Sequence, residues 1–365
     1  ECTKMSKKGK ILVAMSGGID SSVAAMMLHE EGYEVIGMTM KTWEYASSGG
    51  NKKETGCCSL DSINDARNLA VKYGFPHYIV DIRQEFGDYI IEDFIGEYMA
   101  GRTPNPCVLC NTHIKWEALL KRADQLGCEF LATGHYAQLR EENNRQVVST
   151  GKDKNKDQSY VLWGVSQKNL ARTRFPLGGF KKDDIRQMAI DAGFSALAKK
   201  PESYEICFIP DDDYRGFLRR RVPEMDELVG EGDFLGVDGT YLGKHKGYPF
   251  YTVGQRKGLE IAVGIPQYVT EIRPDSNVVV LGEEEDLKQQ EMMVRDCNFI
   301  KYDKIRGQME ALTKIRSHDP GAMSTISGKG KQVKVVFTRK VKAIAPGQSA
   351  VFYEGNDLIG GGIIE

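Results

Sequence analysis

Two stretches of this chain carry residue types at spacings suited to chemistry. The first is Ser16-Gly17-Gly18-Ile19-Asp20-Ser21. Its glycines let the backbone approach a ligand closely. Free amide N–H groups at a helix start, with the helix dipole behind them, make a site for an anion such as phosphate. The hydroxyls of Ser16, Ser21 and Ser22 can add donors. No lysine follows the second glycine, so this is not the phosphate loop that ends in Gly-Lys-Ser/Thr. The plainer reading is a glycine turn in which Asp20 or Ser21 caps the helix. Five fixed positions, each at a background of roughly 6%, recur by chance about once in a million starts, which favours the anion site.

The second stretch is Arg102-Thr103-Pro104-Asn105-Pro106-Cys107-Val108-Leu109-Cys110-Asn111. Its prolines hold a non-helical approach, and a helix is expected to begin at Cys110 or Asn111. A thiol at a helix N-terminus has a lowered pKa, so Cys110 is expected to be a thiolate near neutral pH. Cys207 lies in the short apolar run Glu205–Ile209, where a buried structural cysteine is the commoner outcome. Cys57, Cys58, Cys128 and Cys297 receive no chemistry. Zinc on Cys107 and Cys110 would want a second pair at metal spacing, and the adjacent Cys57-Cys58 does not supply it.

These residues need elements to hold them. Ile11–Met15 reads as a buried strand, and the alanine- and methionine-rich run after the loop as a helix stopped at Gly32. Strands are expected at Glu34–Met40, His77–Ile82 and Phe130–Thr133, and helices at Leu60–Tyr73, Phe86–Met99 and Ile114–Leu126. The alternation predicts an α/β fold, a parallel sheet with helices on both faces. Ligands in such sheets bind beyond the carboxyl ends of the strands, where Ser16, Met40 and Gly134 all fall. Thr42–Gly56 is polar, glycine-rich and long enough for a lid. Lys152–Gln158 is polar, Lys181–Ala192 an amphipathic helix and Lys199–Pro210 irregular. Past Tyr214 the helical periods fade. Asp233–Lys257 is strand-like, and from Met292 short strands such as Lys331–Phe337 and Ala350–Tyr353 predict a small β-barrel. The expected domains are 1–213, a small central 214–285 and the barrel 286–365.

The totals set limits. A chain of 365 residues, 41% hydrophobic and 27% charged, describes a soluble globular protein of two or three domains. No apolar run approaches the roughly 18 residues of a membrane helix, so no membrane association is expected. Met5 reads as the native start, without a signal peptide before it. Eight cysteines are too few for a disulfide scaffold, which points to a reducing cytoplasm. The net charge is −2, yet residues 286–365 hold thirteen Lys/Arg against nine Asp/Glu. Six basic residues and no acid lie between Lys329 and Lys342. Such a module suits a polyanion partner or a solvated strand face.

The glycine loop resembles the signature of the ATP pyrophosphatase (PP-loop) superfamily, whose members split ATP between the α and β phosphates to adenylate an oxygen. The likeness narrows across the chain. Met40-Lys41-Thr42-Trp43, Gly101–Asn111, Ala132–Tyr136, Asn155–Tyr160, Ile206–Phe208, Thr252–Leu259, Pro346-Gly347-Gln348 and Gly360–Glu365 resemble, in order, the tRNA-specific 2-thiouridylase family. That resemblance implies a PP-loop domain followed by a central domain and a barrel that grip tRNA. It also implies ATP with Mg²⁺, a persulfide sulfur-donor protein and a monomeric enzyme.

On matching residues, Ala14, Met15, Ser16, Gly17, Gly18, Ile19, Asp20, Ser21, Met40 and Gly134 would hold ATP. Asn105, Pro106, Cys107, Lys156, Asp157 and Gln158 would surround a flipped-out wobble uridine. ATP would adenylate the C2 oxygen, and a persulfide on Cys207 would attack C2 and expel AMP. Cys110 would then attack the bridging sulfur, leaving 2-thiouridine and a Cys110–Cys207 disulfide. Arg316 matches a tRNA-contacting arginine, while Ser317 and His318 replace what is often Tyr-Arg. Many members carry aspartate, an acid/base candidate, where this chain has Cys107. Cys107, Cys110 and Cys207 could together hold a [4Fe–4S] cluster. The persulfide route is preferred, because the pair Cys110 and Cys207 persists where the first position is aspartate. The competing readings are another PP-loop adenylating enzyme, such as a lysidine-type tRNA ligase or an amidotransferase-type synthetase, and a non-catalytic RNA-binding protein.

Overall fold

The computed structural model describes residues 8–43, 60–200, 206–209, 211–261 and 264–365. Met5 and the residues before it, all but the first two residues of the lid read in Thr42–Gly56, Cys57, Cys58 and half of Lys199–Pro210 lie outside them. Two compact units divide the chain. One holds residues 1–90, 107–212 and 356–358, the other 91–106, 213–355 and 359–365.

In the first unit the strands are Lys10–Ala14 (β1), Glu34–Lys41 (β2), His77–Asp81 (β3), Phe130–Ala132 (β4), Ala137–Glu142 (β5), Arg145–Thr150 (β6) and Thr173–Arg174 (β7). A parallel sheet runs β3-β2-β1-β4-β7. Leu12 pairs with Ile36 on one side and Leu131 on the other. Ile11, Leu12 and Val13 are wholly buried, as a central strand covered on both faces requires. The helix Ile19–Glu30 (α1) packs Val23, Ala24 and Ala25 into the same core as Ala66 and Leu69 of the helix Leu60–Tyr73 (α2). Val23 and Leu69 each stabilise by about 1.5–3 kcal/mol on burial, the alanines by less.

The chain order matters for function. From β1 it moves outward through β2 to β3, then crosses back to lay β4 on β1's other side. Between β1 and β4 the order reverses, and beyond their carboxyl ends lies the crevice where open α/β sheets bind ligands. The Ser16 loop follows β1 and Gly134 follows β4. Hairpin β5–β6 is not among the expected elements. Its turn, Asn143-Asn144, takes positive φ at both positions, the geometry of the tight two-residue hairpin.

In the second unit the helices Glu92–Met99 and Tyr214–Arg221 meet through Tyr98 stacked on Tyr214 and Phe94 edge-on to Phe217. Strands Gly232–Gly236 (β8), Tyr241–His245 (β9), Tyr268–Arg273 (β10) and Val278–Gly282 (β11) form a sheet ordered β10-β11-β8-β9. The last six strands are Lys288–Phe299 (β12), Gln308–Lys314 (β13), Ala322–Lys329 (β14), Gln332–Lys342 (β15), Ser349–Glu354 (β16) and Asp357–Ile364 (β17). They run β12-β15-β14-β13-β16-β17, and a β12–β17 pairing closes the expected barrel. Strand β15 alternates buried Val333, Val335 and Phe337 with exposed Lys334 and Val336, the period-two pattern of a barrel wall. Among the described residues no helix is long and apolar enough to cross a membrane.

Candidate active site

Helix α1 begins at Ile19 on an extended Gly18 that offers no side-chain cap. The amides of Ile19, Asp20 and Ser21, the first three of the helix, therefore have no intrahelical acceptor. The expected alternative, a cap from Asp20 or Ser21, is not what forms. Ser21 Oγ turns back into the loop, accepting from Ser16 N at 3.0 Å and donating to Gly18 O at 3.2 Å. Asp20 faces elsewhere: its carboxylate takes Lys182 Nζ at 2.7 and 2.8 Å and Tyr136 Oη at 2.7 Å. The result is a row of open donors at the positive end of a helix.

Two glycines are obligatory there. Gly17 has φ +69°, and a Cβ on it would lie 1.9 Å from Ser62 O. At Gly134 a Cβ would come within 2.8 Å of the Asp20 carbonyl carbon and Ser21 N, so the end of β4 abuts the first turn of α1. Met15 N donates to Met38 O, placing Ala14 and Met15 beside the end of β2, where Met40 is half-buried. Lys200 Nζ reaches Gly17 O at 3.2 Å, Ser62 Oγ at 3.0 Å and Asp65 Oδ2 at 2.9 Å. Lys182, Lys200, Ser62 and Asp65 were not legible in the sequence as loop neighbours. They come from far along the chain, and only the topology delivers them.

The polar stretch after β6 is tied to the end of β4. Gln158 N donates to Tyr136 O, and Tyr136 N to Gln158 Oε1, both at 3.0 Å. Asp157 Oδ1 accepts from Gly151 N and Ser159 N, and its Oδ2 accepts from Ser159 Oγ. Asp157 and Gln158 thus shape this turn, and Lys156 is half-buried within it.

The cysteines differ from expectation in two ways. The helix begins at Pro106, not at Cys110 or Asn111, with proline filling the first helical position, where its missing N–H costs nothing. Cys110 is therefore a turn inside, at the head of a π-helical segment, Cys110–Ala118. Burial pushes its thiol up to about 11, and the Lys115 ammonium opposes only part of that rise. The expected thiolate is a neutral thiol, because desolvation outweighs the helix terminus one turn away. Crowding also raises Cys107, but that side chain keeps solvent contact, which weakens the push. Asn111 is buried and donates to Val161 O at 2.9 Å.

Cys207 is exposed, not buried. Its neighbours Phe208 and Ile209 take the interior instead, Phe208 meeting Phe86 edge to face at 5.7 Å. Among the described residues no three His, Cys, Asp or Glu side chains stand close enough to hold a single metal ion.

The second unit holds the remaining sequence candidates. Asn105 Nδ2 points at Ser349 Oγ at 3.5 Å, and Gln348 Nε2 donates to Thr103 O and Pro104 O. The Pro346-Gly347-Gln348 motif thereby clamps the segment leading to the buried Pro106. Arg316 and Ser317 are exposed and line an open depression with His318, Asp319 and Pro320.

Three family models cover the chain in order. They are described as the tRNA methyl transferase HUP domain over residues 9–211, the tRNA methyl transferase PRC-barrel domain over 215–283 and the aminomethyltransferase beta-barrel domain over 289–364. Among curated proteins, the tRNA-specific 2-thiouridylase of Cytophaga hutchinsonii is 66% identical over 99% of this chain and 98% of its own length. The enzyme of the same name from Amoebophilus asiaticus is 63% identical, covering 98% and 96%. That of Salinibacter ruber is 54% identical, covering 99% and 95%. The model descriptions speak of methyl transfer, but full-length identity at this level decides the matter, and the chain belongs to the tRNA-specific 2-thiouridylase family.

Proposed function

We propose that this protein is a tRNA-uridine 2-sulfurtransferase: it uses ATP to replace the C2 oxygen of the wobble uridine with sulfur, giving 2-thiouridine, AMP and pyrophosphate. The observation that carries this is one unit holding both an uncapped glycine loop and the cysteines Cys110 and Cys207. A lysidine-type ligase, an amidotransferase-type synthetase or a passive RNA binder needs no such pair.

In this reading the amides of Ile19, Asp20 and Ser21, with Ser16, Gly17 and Gly18, cradle the phosphates of ATP. Ala14, Met15, Met40 and Gly134 line the rest of its site. No protein carboxylate cluster stands ready for Mg²⁺ among the described residues, so the ion would ride on the phosphates and its own waters, as Mg²⁺ usually does. Adenylation makes the C2 oxygen a leaving group. The terminal sulfur of a Cys207 persulfide attacks C2, and AMP departs. Cys110 gives up its proton to solvent, and the thiolate so formed attacks Cys207 Sγ, which releases the uracil-bound sulfur as thiouridine and leaves a disulfide between the two cysteines. A dithiol reductant reopens it. Exposure of Cys207 suits a carrier that must be loaded by a donor protein.

Base contacts are assigned to Asn105, Pro106, Cys107, Lys156, Asp157 and Gln158 on the family motifs, with Asp157 and Gln158 acting through the turn they hold. Cys107 takes the place of the usual aspartate as an acid/base stand-in. Residues 1–213 would carry adenylation and thiolation, while 214–285 and 286–365, with Arg316 and Ser317, would bind tRNA. We place the enzyme in the cytoplasm as a monomer. Mass spectrometry of tRNA nucleosides after incubation with ATP, Mg²⁺ and a persulfide donor tests the reading. Recovery of ADP and phosphate, or tRNA without 2-thiouridine, overturns it.

A further inference from the structure

Asp20 poses an electrostatic problem. A carboxylate in the first turn of a helix is attracted to the same amides that a phosphate would use. Left to itself it would fold onto them or repel the ligand. The structure holds it away. Both oxygens of Asp20 bind Lys182 Nζ, at 2.7 and 2.8 Å, and Tyr136 Oη adds a third bond at 2.7 Å. Lys182 is 4% exposed, and lysine is almost never that buried without a paired charge. Its backbone is placed too: Asp153 Oδ2 accepts from Lys182 N at 3.0 Å. Ile185 and Ala189 of the same helix, Lys182–Asp191, lock it into the core that also holds Val23 of α1.

We propose that Lys182 is a positioning residue for the phosphate cradle: it neutralises Asp20 and pins that carboxylate against Tyr136, so that the amides of Ile19, Asp20 and Ser21 meet a polyphosphate without a competing negative charge. This rests on the reading of the loop as the ATP site. It gives the Asp20 carboxylate no contact with ATP; the acid is a tether from α1 to the end of β4, and the lysine makes that tether compatible with an anion. Lys182 is the counter-charge, not a ligand.

The experiment is calorimetric titration of α,β-methylene-ATP with Mg²⁺ into wild type, Lys182→Met, Asp20→Asn and the double variant, with circular dichroism to check folding. Lys182→Met should bind about tenfold or more weakly, because an unpaired carboxylate then faces the phosphates. The double variant removes both charges and should return to within about threefold of wild type. In turnover, Lys182→Met should raise the KM for ATP while kcat at saturating ATP stays within about threefold. Should Lys182→Met fail to fold, the neutral double variant carries the test against Asp20→Asn. Wild-type affinity in Lys182→Met overturns the inference, as does a folded double variant that binds as poorly as the single one, since Asp20 would then act on the ligand directly. Wild type that binds no nucleotide overturns the ATP reading itself, and the inference with it.

Discussion

At the scale of single residues the two thiols of the proposed route differ in environment. Cys207 is exposed, whereas Cys110 is half-buried, its thiol raised to about 11 by burial with Lys115 pulling the other way. Thiolate is the nucleophile, so the sign follows: reactivity climbs with pH and is small near neutrality. Iodoacetamide labelling of Cys110, read by peptide mass spectrometry, should rise roughly tenfold per pH unit from about pH 7 to 9. Lys115→Gln should shift the rise to still higher pH. A plateau already reached near pH 7 would refute this picture of the free enzyme. The same division separates the variants. With a persulfide donor, Cys207→Ser should transfer no sulfur, and Cys110→Ser should stall with uridine linked to the protein. Full turnover by either one removes the paired-thiol route. The sequence proposes the pair Cys110 and Cys207 only through family motifs. Their environments were not legible in it. Ile206–Ile209 reads as uniformly apolar, and only packing decides that Phe208 and Ile209 go inward and Cys207 outward. Likewise the position of Cys110 depends on Pro106 starting the helix a turn early, a choice between two prolines that local rules leave open.

Elements set where those residues can act. The strand-turn-helix around Ser16–Ser21 is the most legible part of the chain, because strand, glycines and helix each carry their own local signal. Helix Leu60–Tyr73 matches expectation end to end for the same reason: its apolar residues keep a strict helical period. What local pattern does not encode is the packing of α2 against the loop, with Ser62 O where a Gly17 side chain would be. Gly17→Ala should therefore combine a left-handed backbone with a backbone clash and lose roughly 2–5 kcal/mol of stability. Gly134→Ala should cost less stability, since its backbone is not left-handed, yet still push on the first turn of α1 and weaken ATP binding. Thermal melts beside nucleotide titration check both. A Gly17→Ala protein with an unchanged melting temperature and affinity would show that the loop tolerates a side chain there. The π-helical segment Cys110–Ala118 is a second element without a sequence signature. Its i to i+5 spacing favours placing Lys115 on the face of Cys110, which an α-helical reading of the same residues does not.

For the whole molecule the informative quantity is how charge is distributed over a chain whose total is nearly neutral. The barrel holds the excess of base, and its strands turn much of that excess outward: Lys334, Arg339, Lys340 and Lys342 are exposed on β15. Lys334 and Lys342 are answered by Glu291 and Glu284. Exposed pairs of that kind add little to stability, so a purely structural role accounts poorly for the density of cations. Arg316, exposed beside Ser317 and His318, adds another on the same unit. If this surface meets tRNA phosphates, the double variant Arg339→Ala/Lys340→Ala should lower tRNA affinity and flatten its salt dependence, each lost phosphate contact removing roughly one counterion from the slope. Arg316→Ala should do the same to a smaller degree. Neither should alter the Kd for α,β-methylene-ATP measured without tRNA, because the glycine loop belongs to the other unit. Filter binding of unmodified tRNA between about 50 and 200 mM salt measures both affinity and slope. Unchanged slopes in both variants would make the basic strand a solvated face and move the search for the tRNA grip to the Tyr214–Arg221 helix, whose last turn carries Arg219, Arg220 and Arg221.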